Sequence, residues 1–223
     1  MGQRAENQAE GRSVRVTAGH VIIDGDLRLP QSAKGVVLFA HGSGSSRHSP
    51  RNRYVAKLLN ESGLGTLLID LLTTDEEQVD LRTARLRFNI GLLAERLVGA
   101  TDWLTQDELT KHLYIGYFGA STGAAAALVA AAERPEQVHA VVSRGGRPDL
   151  ANSCLQRVRA PTLLIVGGND LPVIKFNESA YAQLSSEKRL AIIPRATHLF
   201  EEPGALDEVA RLAAQWFLQH ICH

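Results

Sequence analysis

The chain has 223 residues, 44% of them apolar and 22% charged, an ordinary globular balance with enough length for one sizeable core. Its 24 lysines and arginines equal its 24 aspartates and glutamates, which excludes the basic footprint of a nucleic-acid binder or of a protein held on an anionic membrane. No apolar run reaches the roughly 18 residues of a membrane span, and the polar start lacks the apolar stretch of a secretory signal.

Two cysteines, Cys154 and Cys222, make neither a disulfide framework nor a zinc cluster. The expectation is a cytoplasmic protein with reduced thiols, a flexible tail over 1–12 and a single domain over 13–223. Along that domain, 14–17 and 21–29 read as two strands around a turn. Continuous apolar runs over 35–40, 65–70, 113–118, 139–143, 161–166 and 189–193 read as strands buried on both faces.

Helical patterns lie between them. Ser49 can cap a helix that carries Pro50 in its first turn and is closed by Gly63. One long helix is predicted over 80–104, where Leu86, Ile90, Leu93, Leu97, Ala100 and Leu104 recur at helical spacing. Shorter helices are predicted over 123–133, 177–184 and 207–220, and 144–161 reads as an irregular segment holding one short helix. This alternation predicts an α/β fold: a mostly parallel, doubly wound sheet of about eight strands, helices on both faces and no large cap. Ligands of such sheets bind at the carboxyl ends of the strands.

Gly119-Ala120-Ser121-Thr122-Gly123 follows a buried strand and opens an alanine-rich helix, the context of a G-x-S-x-G nucleophile turn. Small flanking residues permit the strained turn that lifts Ser121 above the sheet. A serine needs a base, and His198 follows the last strand at the same edge, whereas His20, His112 and His139 fall at strand entries. The imidazole needs a carboxylate on its other nitrogen. Asp170 is the candidate, Asp149 the competing acid, and Asp70 a loop-capping carboxylate. Oxyanion donors are predicted at the backbone N–H groups of Thr122 and of Ser43, in a loop shaped by Gly42 and Gly44. His41, Gly42, Gly44, His48 and Arg147 are expected to line the substrate pocket, with a carboxylate of the substrate as one partner for the arginines at this edge (Arg51, Arg144 and Arg147) and Asp149, Asp75 or Glu76 as the other.

The segments HGSGSS, GASTG, GGND and RATH, in this order, resemble the α/β-hydrolase superfamily and, more closely, its dienelactone hydrolase-type branch. The resemblance covers roughly Gly35 to the C-terminus and implies a Ser121, Asp170 and His198 triad with no metal or organic cofactor. The enzymes that name the branch carry a cysteine nucleophile and an acidic residue in the first loop. Here Ser121 and His41 stand in their places, so the implied activity is general hydrolysis of an ester or lactone. The rival readings are a thioesterase, amidase or acyltransferase using the same residues, and a binding protein on the hydrolase fold. The expected partner is a small ester or lactone, with neither nucleic acid nor membrane.

Overall fold

The computed structural model describes residues 10–221. The remainder of the expected tail, with Cys222 and His223, lies outside the described residues. Eight strands form one sheet in the order β1-β2-β4-β3-β5-β6-β7-β8. They are β1 (Glu10–Ala18), β2 (Val21–Leu29), β3 (Gly35–Ala40), β4 (Gly65–Ile69), β5 (Tyr114–Ala120), β6 (Val138–Arg144), β7 (Thr162–Gly167) and β8 (Lys188–Ile193). β1 and β2 pair antiparallel, as do β2 and β4, and every pair from β4 through β8 is parallel. Every residue of β3, β4 and β7 is buried, as their unbroken apolar runs require.

β1 begins at Glu10, so residues 10–12, expected to belong to the tail, join the sheet. The reason is pairing rather than hydrophobicity: Glu10, Gly11 and Arg12 stand opposite Leu29, Arg28 and Leu27 of β2. The remaining elements are α1 (Pro50–Glu61), α2 (Thr74–Thr83), α3 (Ile90–Leu104), α4 (Thr122–Glu133), α5 (Leu171–Gln183) and α6 (Ala205–His220). Helices α3 and α4 pack in one apolar cluster with Ala180 and Leu184 at the end of α5, and α1 and α6 pack in another with Leu68, Val142 and Ile165. α6 buries Val209, Leu212, Ala213, Trp216 and Phe217 along one face.

The single helix predicted over 80–104 is two helices and a short 3₁₀ turn (Leu86–Phe88). Thr73 and Glu76 make a reciprocal capping box that starts α2 earlier than the apolar pattern does. Ala84 then turns left-handed at φ 52°. The buried Asp80 carboxylate fixes that turn by accepting from the backbone N–H of Leu86 and Arg87 and from Arg87 Nε. The helix predicted over 177–184 starts at Leu171 instead, with Pro172 in its first turn. In the irregular segment, a 3₁₀ stretch (Pro148–Arg157) kinks at Asn152.

The chain leaves β3 for β4 on one side, then returns to place β5 on the other. This reversal opens a crevice beyond the carboxyl ends of β3 and β5, where open α/β sheets bind ligands. The loops after β5, β6, β7 and β8 share that edge.

Candidate active site

Ser121 joins β5 to α4 with φ 51° and ψ −121°, a backbone that a side chain adopts only under constraint. Its N–H donates to the Arg144 carbonyl (3.2 Å), and its carbonyl accepts from the N–H groups of Ala124 and Arg147 (3.1 Å each). The flanking glycines have no room for a side chain. A Cβ on Gly119 would lie 2.4 Å from Ala124 Cα, and one on Gly123 2.4 Å from the carbonyl oxygens of Ala40 and His41. Ser121 occupies the N-cap position of α4, yet its hydroxyl caps nothing and stays available for chemistry.

Asp170 shows the same reserve. It is the N-cap of α5, but its side chain makes no capping bond. Its Oδ2 lies 2.6 Å from His198 Nδ1. The two loops that carry them are laced together. Gly168 N–H donates to Ile193 (2.8 Å), Asn169 N–H to Ala196 and Asn169 Nδ2 to Arg195 (2.9 Å each), all to carbonyls. A Cβ on Gly167 would lie 2.5 Å from the Ala196 carbonyl oxygen, so the approach depends on glycine there. Glu202 holds the far side of the histidine loop through Thr197 N–H (3.0 Å). The bonds from Asn169 and Glu202 are anchors that the sequence reading missed.

His198 and Ser121 each lie against one short segment. Ser121 bonds to Arg144, and a Cβ on the next residue, Gly145, would lie 3.6 Å from His198 Cε1. Asp149, the competing acid, has both carboxylate oxygens bound by Arg147 at 2.9 and 2.8 Å. Arg147, expected at the pocket, is therefore ion-paired and also lies over the Phe176 ring at 4.6 Å. His48 is exposed just before α1, its N–H bonded to Ser46 Oγ.

The loop after β3 abuts Ser121, since a Cβ on Gly42 would lie 3.1 Å from Ser121 Cβ. Ser45 N–H returns to the Gly42 carbonyl (3.2 Å), and Gly44, at φ 68°, supplies the positive angle that the turn needs. Ser43 stands between them, with its N–H outside the turn's own bond. Thr122 is the first residue of α4, so its N–H has no intrahelical acceptor. A cleft of about 80 Å³ lies between this loop and α2, lined by Ser43, Leu72, Glu77, Leu81 and Arg87 among others. Asp70 braces the loop from β4 by accepting from Arg47 N–H (2.8 Å) and from the Arg47 guanidinium.

His41, expected to face substrate, is only 8% exposed. Nε2 accepts from Leu71 N–H (3.1 Å), so the proton sits on Nδ1 and is donated to the Gly42 carbonyl at 2.9 Å. Burial lowers its pKa, against smaller opposing effects of the Gly42 bond and of Asp70 and Glu77. The folded pKa is thus below the unfolded value near 6.5. Below that value the unfolded chain takes up a proton that the folded one refuses, so stability falls with pH, by at most about 1.4 kcal/mol per pH unit. His41→Gln is expected to flatten the melting temperature against pH between pH 7 and 5. Thermal melts of both proteins check this, at about 2–4 °C per kcal/mol.

Comparison with known proteins agrees with this architecture. The dienelactone hydrolase family profile matches residues 23–220. A crystal structure of a dienelactone hydrolase from Anabaena variabilis is 67% identical, covers 96% of this chain and 99% of its own, and superposes with a TM-score of 0.95. An esterase of Pyrococcus furiosus, at 17% identity, shares the fold with a TM-score of 0.74 over 96% of this chain and 94% of its own. A Mycobacterium tuberculosis protein with the provisional name of a phosphoribosyl transferase is 54% identical over 98% of this chain. The chain spans 48% of that relative's length. Among the described residues no helix is long and apolar enough to cross a membrane.

Proposed function

The chain belongs to the dienelactone hydrolase family, and from that premise we propose that it is a serine hydrolase that cleaves a small carboxylic ester or lactone in the cytoplasm. Ser121 Oγ attacks the carbonyl carbon while His198 Nε2 takes its proton. Asp170 keeps the other imidazole proton on Nδ1 and stabilises the imidazolium. The N–H groups of Ser43 and Thr122 hold the oxyanion. His198 then returns the proton to the departing alkoxide, leaving an acyl-serine. Water, deprotonated by His198, releases the acid and restores the hydroxyl.

The observation that carries this reading is the 2.6 Å contact between His198 and Asp170, set around the same segment as a serine held at φ 51°. A non-catalytic binder has no need to leave two N-cap side chains unused for capping. The transferase name is carried by a protein about twice as long, of which this chain matches about half.

A fluorophosphonate probe tests it. Stoichiometric labelling is expected on the peptide containing Ser121, together with turnover of p-nitrophenyl butyrate. Folded protein that neither labels nor turns over the ester would make the binding-protein reading the better one. Preferential turnover of thioesters or amides in a substrate panel would move the assignment to those substrates.

A further inference from the structure

Asn177 lies on the inner face of α5 and is completely buried. The other buried residues of that face, Val173 and Ala180, are apolar, so an amide is out of character there. It makes two bonds. Nδ2 donates to the Gly146 carbonyl at 3.0 Å and to the Val173 carbonyl, one turn back in its own helix, at 2.8 Å. Two carbonyl acceptors fix which end of the amide is nitrogen. Oδ1 is buried and, among the described residues, has no hydrogen-bond partner. An unpaired buried acceptor lowers stability, so the residue carries a cost that an apolar side chain would remove.

The acceptor at Gly146 gives that cost a use. Gly146 belongs to the link 144–147, which grips Ser121 from both sides: Ser121 N–H donates to the Arg144 carbonyl (3.2 Å), and Arg147 N–H donates to the Ser121 carbonyl (3.1 Å). The link has little freedom of its own. Gly145 N–H is held by the Ile165 carbonyl of β7 (2.8 Å), and a Cβ on Gly146 would collide with Ser143 Oγ and lie 2.6 Å from Ala124 Cβ. α5, in turn, starts from Asp170, whose Oδ2 meets His198 and whose carbonyl accepts from Ile174 N–H at 3.0 Å. Asn177 stands seven residues on, about 10 Å along the helix axis. Arg147 packs over the Phe176 ring at the same joint, but among the described residues the Asn177 amide alone hydrogen-bonds α5 to the link.

We propose that Asn177 is a positioning residue for ester cleavage: by clamping the Gly146 carbonyl to α5 it sets the spacing between Ser121 and the Asp170–His198 pair. This rests on the serine hydrolase reading. Fully buried, the amide is out of reach of substrate. It acts through two stiff bodies, the link that holds Ser121 and the helix that starts from Asp170, and fixes one against the other. Reacting groups must be held within about 0.5 Å, and a misplacement near 1 Å costs about 10²-fold in rate.

Asn177→Leu keeps the branch at Cγ and removes both bonds. Its kcat for p-nitrophenyl butyrate, per site titrated with a fluorophosphonate, should fall about 10- to 100-fold. His198 serves both half-reactions, so KM should stay within about twofold of wild type. The fluorophosphonate should label the variant more slowly by a similar factor. Val173→Ala is the control on the same face: it leaves a cavity and should lower the melting temperature while kcat stays within about twofold. Asn177→Ala keeps the test open if Asn177→Leu does not fold, with the same split between kcat and KM.

Asn177→Asp supplies a signature that a strut would not give. Protonated, the carboxyl can donate its O–H to Gly146. Ionised, it confronts two carbonyl oxygens, and burial raises its pKa. Wild-type kcat/KM should rise with pH to a plateau as His198 loses its proton, whereas Asn177→Asp should trace a bell whose falling limb belongs to the new carboxyl.

Equal losses of kcat in Asn177→Leu and Val173→Ala, or a lower melting temperature with kcat unchanged, would make the amide a strut and overturn the proposal. So would a plain rising pH profile in Asn177→Asp. If wild type neither labels nor cleaves the ester, the hydrolase reading fails by itself, and crystal structures of wild type and Asn177→Leu decide the clamp. A gap between Ser121 and His198 altered by more than about 0.5 Å supports it, and an unchanged gap overturns it.

Discussion

Ser121→Ala is expected to lower ester turnover by about 10⁵- to 10⁶-fold, the range found when a triad serine is removed. The loss is this large because the proposed mechanism forms its covalent acyl-enzyme on the Ser121 oxygen. The predicted oxyanion donors are backbone groups and remain in place, so residual hydrolysis above the uncatalysed rate should survive. The substitution should leave the fold intact, since the Ser121 hydroxyl caps nothing. A companion variant reports on the strain. Glycine accepts φ 51° without a Cβ penalty, so Ser121→Gly should be more stable than Ser121→Ala by about 1 kcal/mol while equally inactive. Steady-state kinetics with p-nitrophenyl butyrate and thermal melts of the three proteins measure both effects. Turnover by Ser121→Ala within tenfold of wild type would remove Ser121 as nucleophile.

The strained serine was legible because its demand is local. Gly119, Ala120 and Gly123 are needed within one turn of the chain, and the two glycines sit where a Cβ would strike backbone 2.4 Å away. Strands such as β3 and β7 were legible for a similar reason, since burial on both faces writes an unbroken apolar run. What was not legible depends on distant partners. The start of β1 follows from backbone pairing with β2 and not from its own polar side chains. The left-handed Ala84 is set by bonds that Asp80 makes to residues further on, which helical periodicity cannot register. His41 stands at the correct sheet edge, but only the packing shows that its ring turns inward to Leu71 and Gly42. Arg144 and Arg147 lie three residues apart in sequence. The structure separates them, because Arg147 is paired with Asp149 while, among the described residues, no carboxylate lies within ion-pair distance of Arg144.

The contrast between Asp170, the candidate acid, and Asp149, its competitor, gives the second large effect. Asp170→Asn is expected to lower kcat by about 10⁴-fold, as the matching change does in a triad protease. An asparagine amide fits the same space, but it can present an N–H₂ group to His198 Nδ1. That nitrogen must then accept, the proton moves to Nε2, and the face toward Ser121 can no longer act as base. The lost carboxylate charge also withdraws support from the imidazolium that forms during attack. Stability should change little by comparison, because the Asp170 side chain makes no capping bond to α5. Asp149→Asn is the necessary contrast. It breaks a two-point contact with Arg147 and loosens the segment after β6, so its effect should appear mainly in the melting temperature. The two variants therefore move different observables: Asp170→Asn the rate, Asp149→Asn the stability. The reverse pattern, with the large rate loss at Asp149, would mean that the 2.6 Å contact at His198 is not the one that governs its protonation.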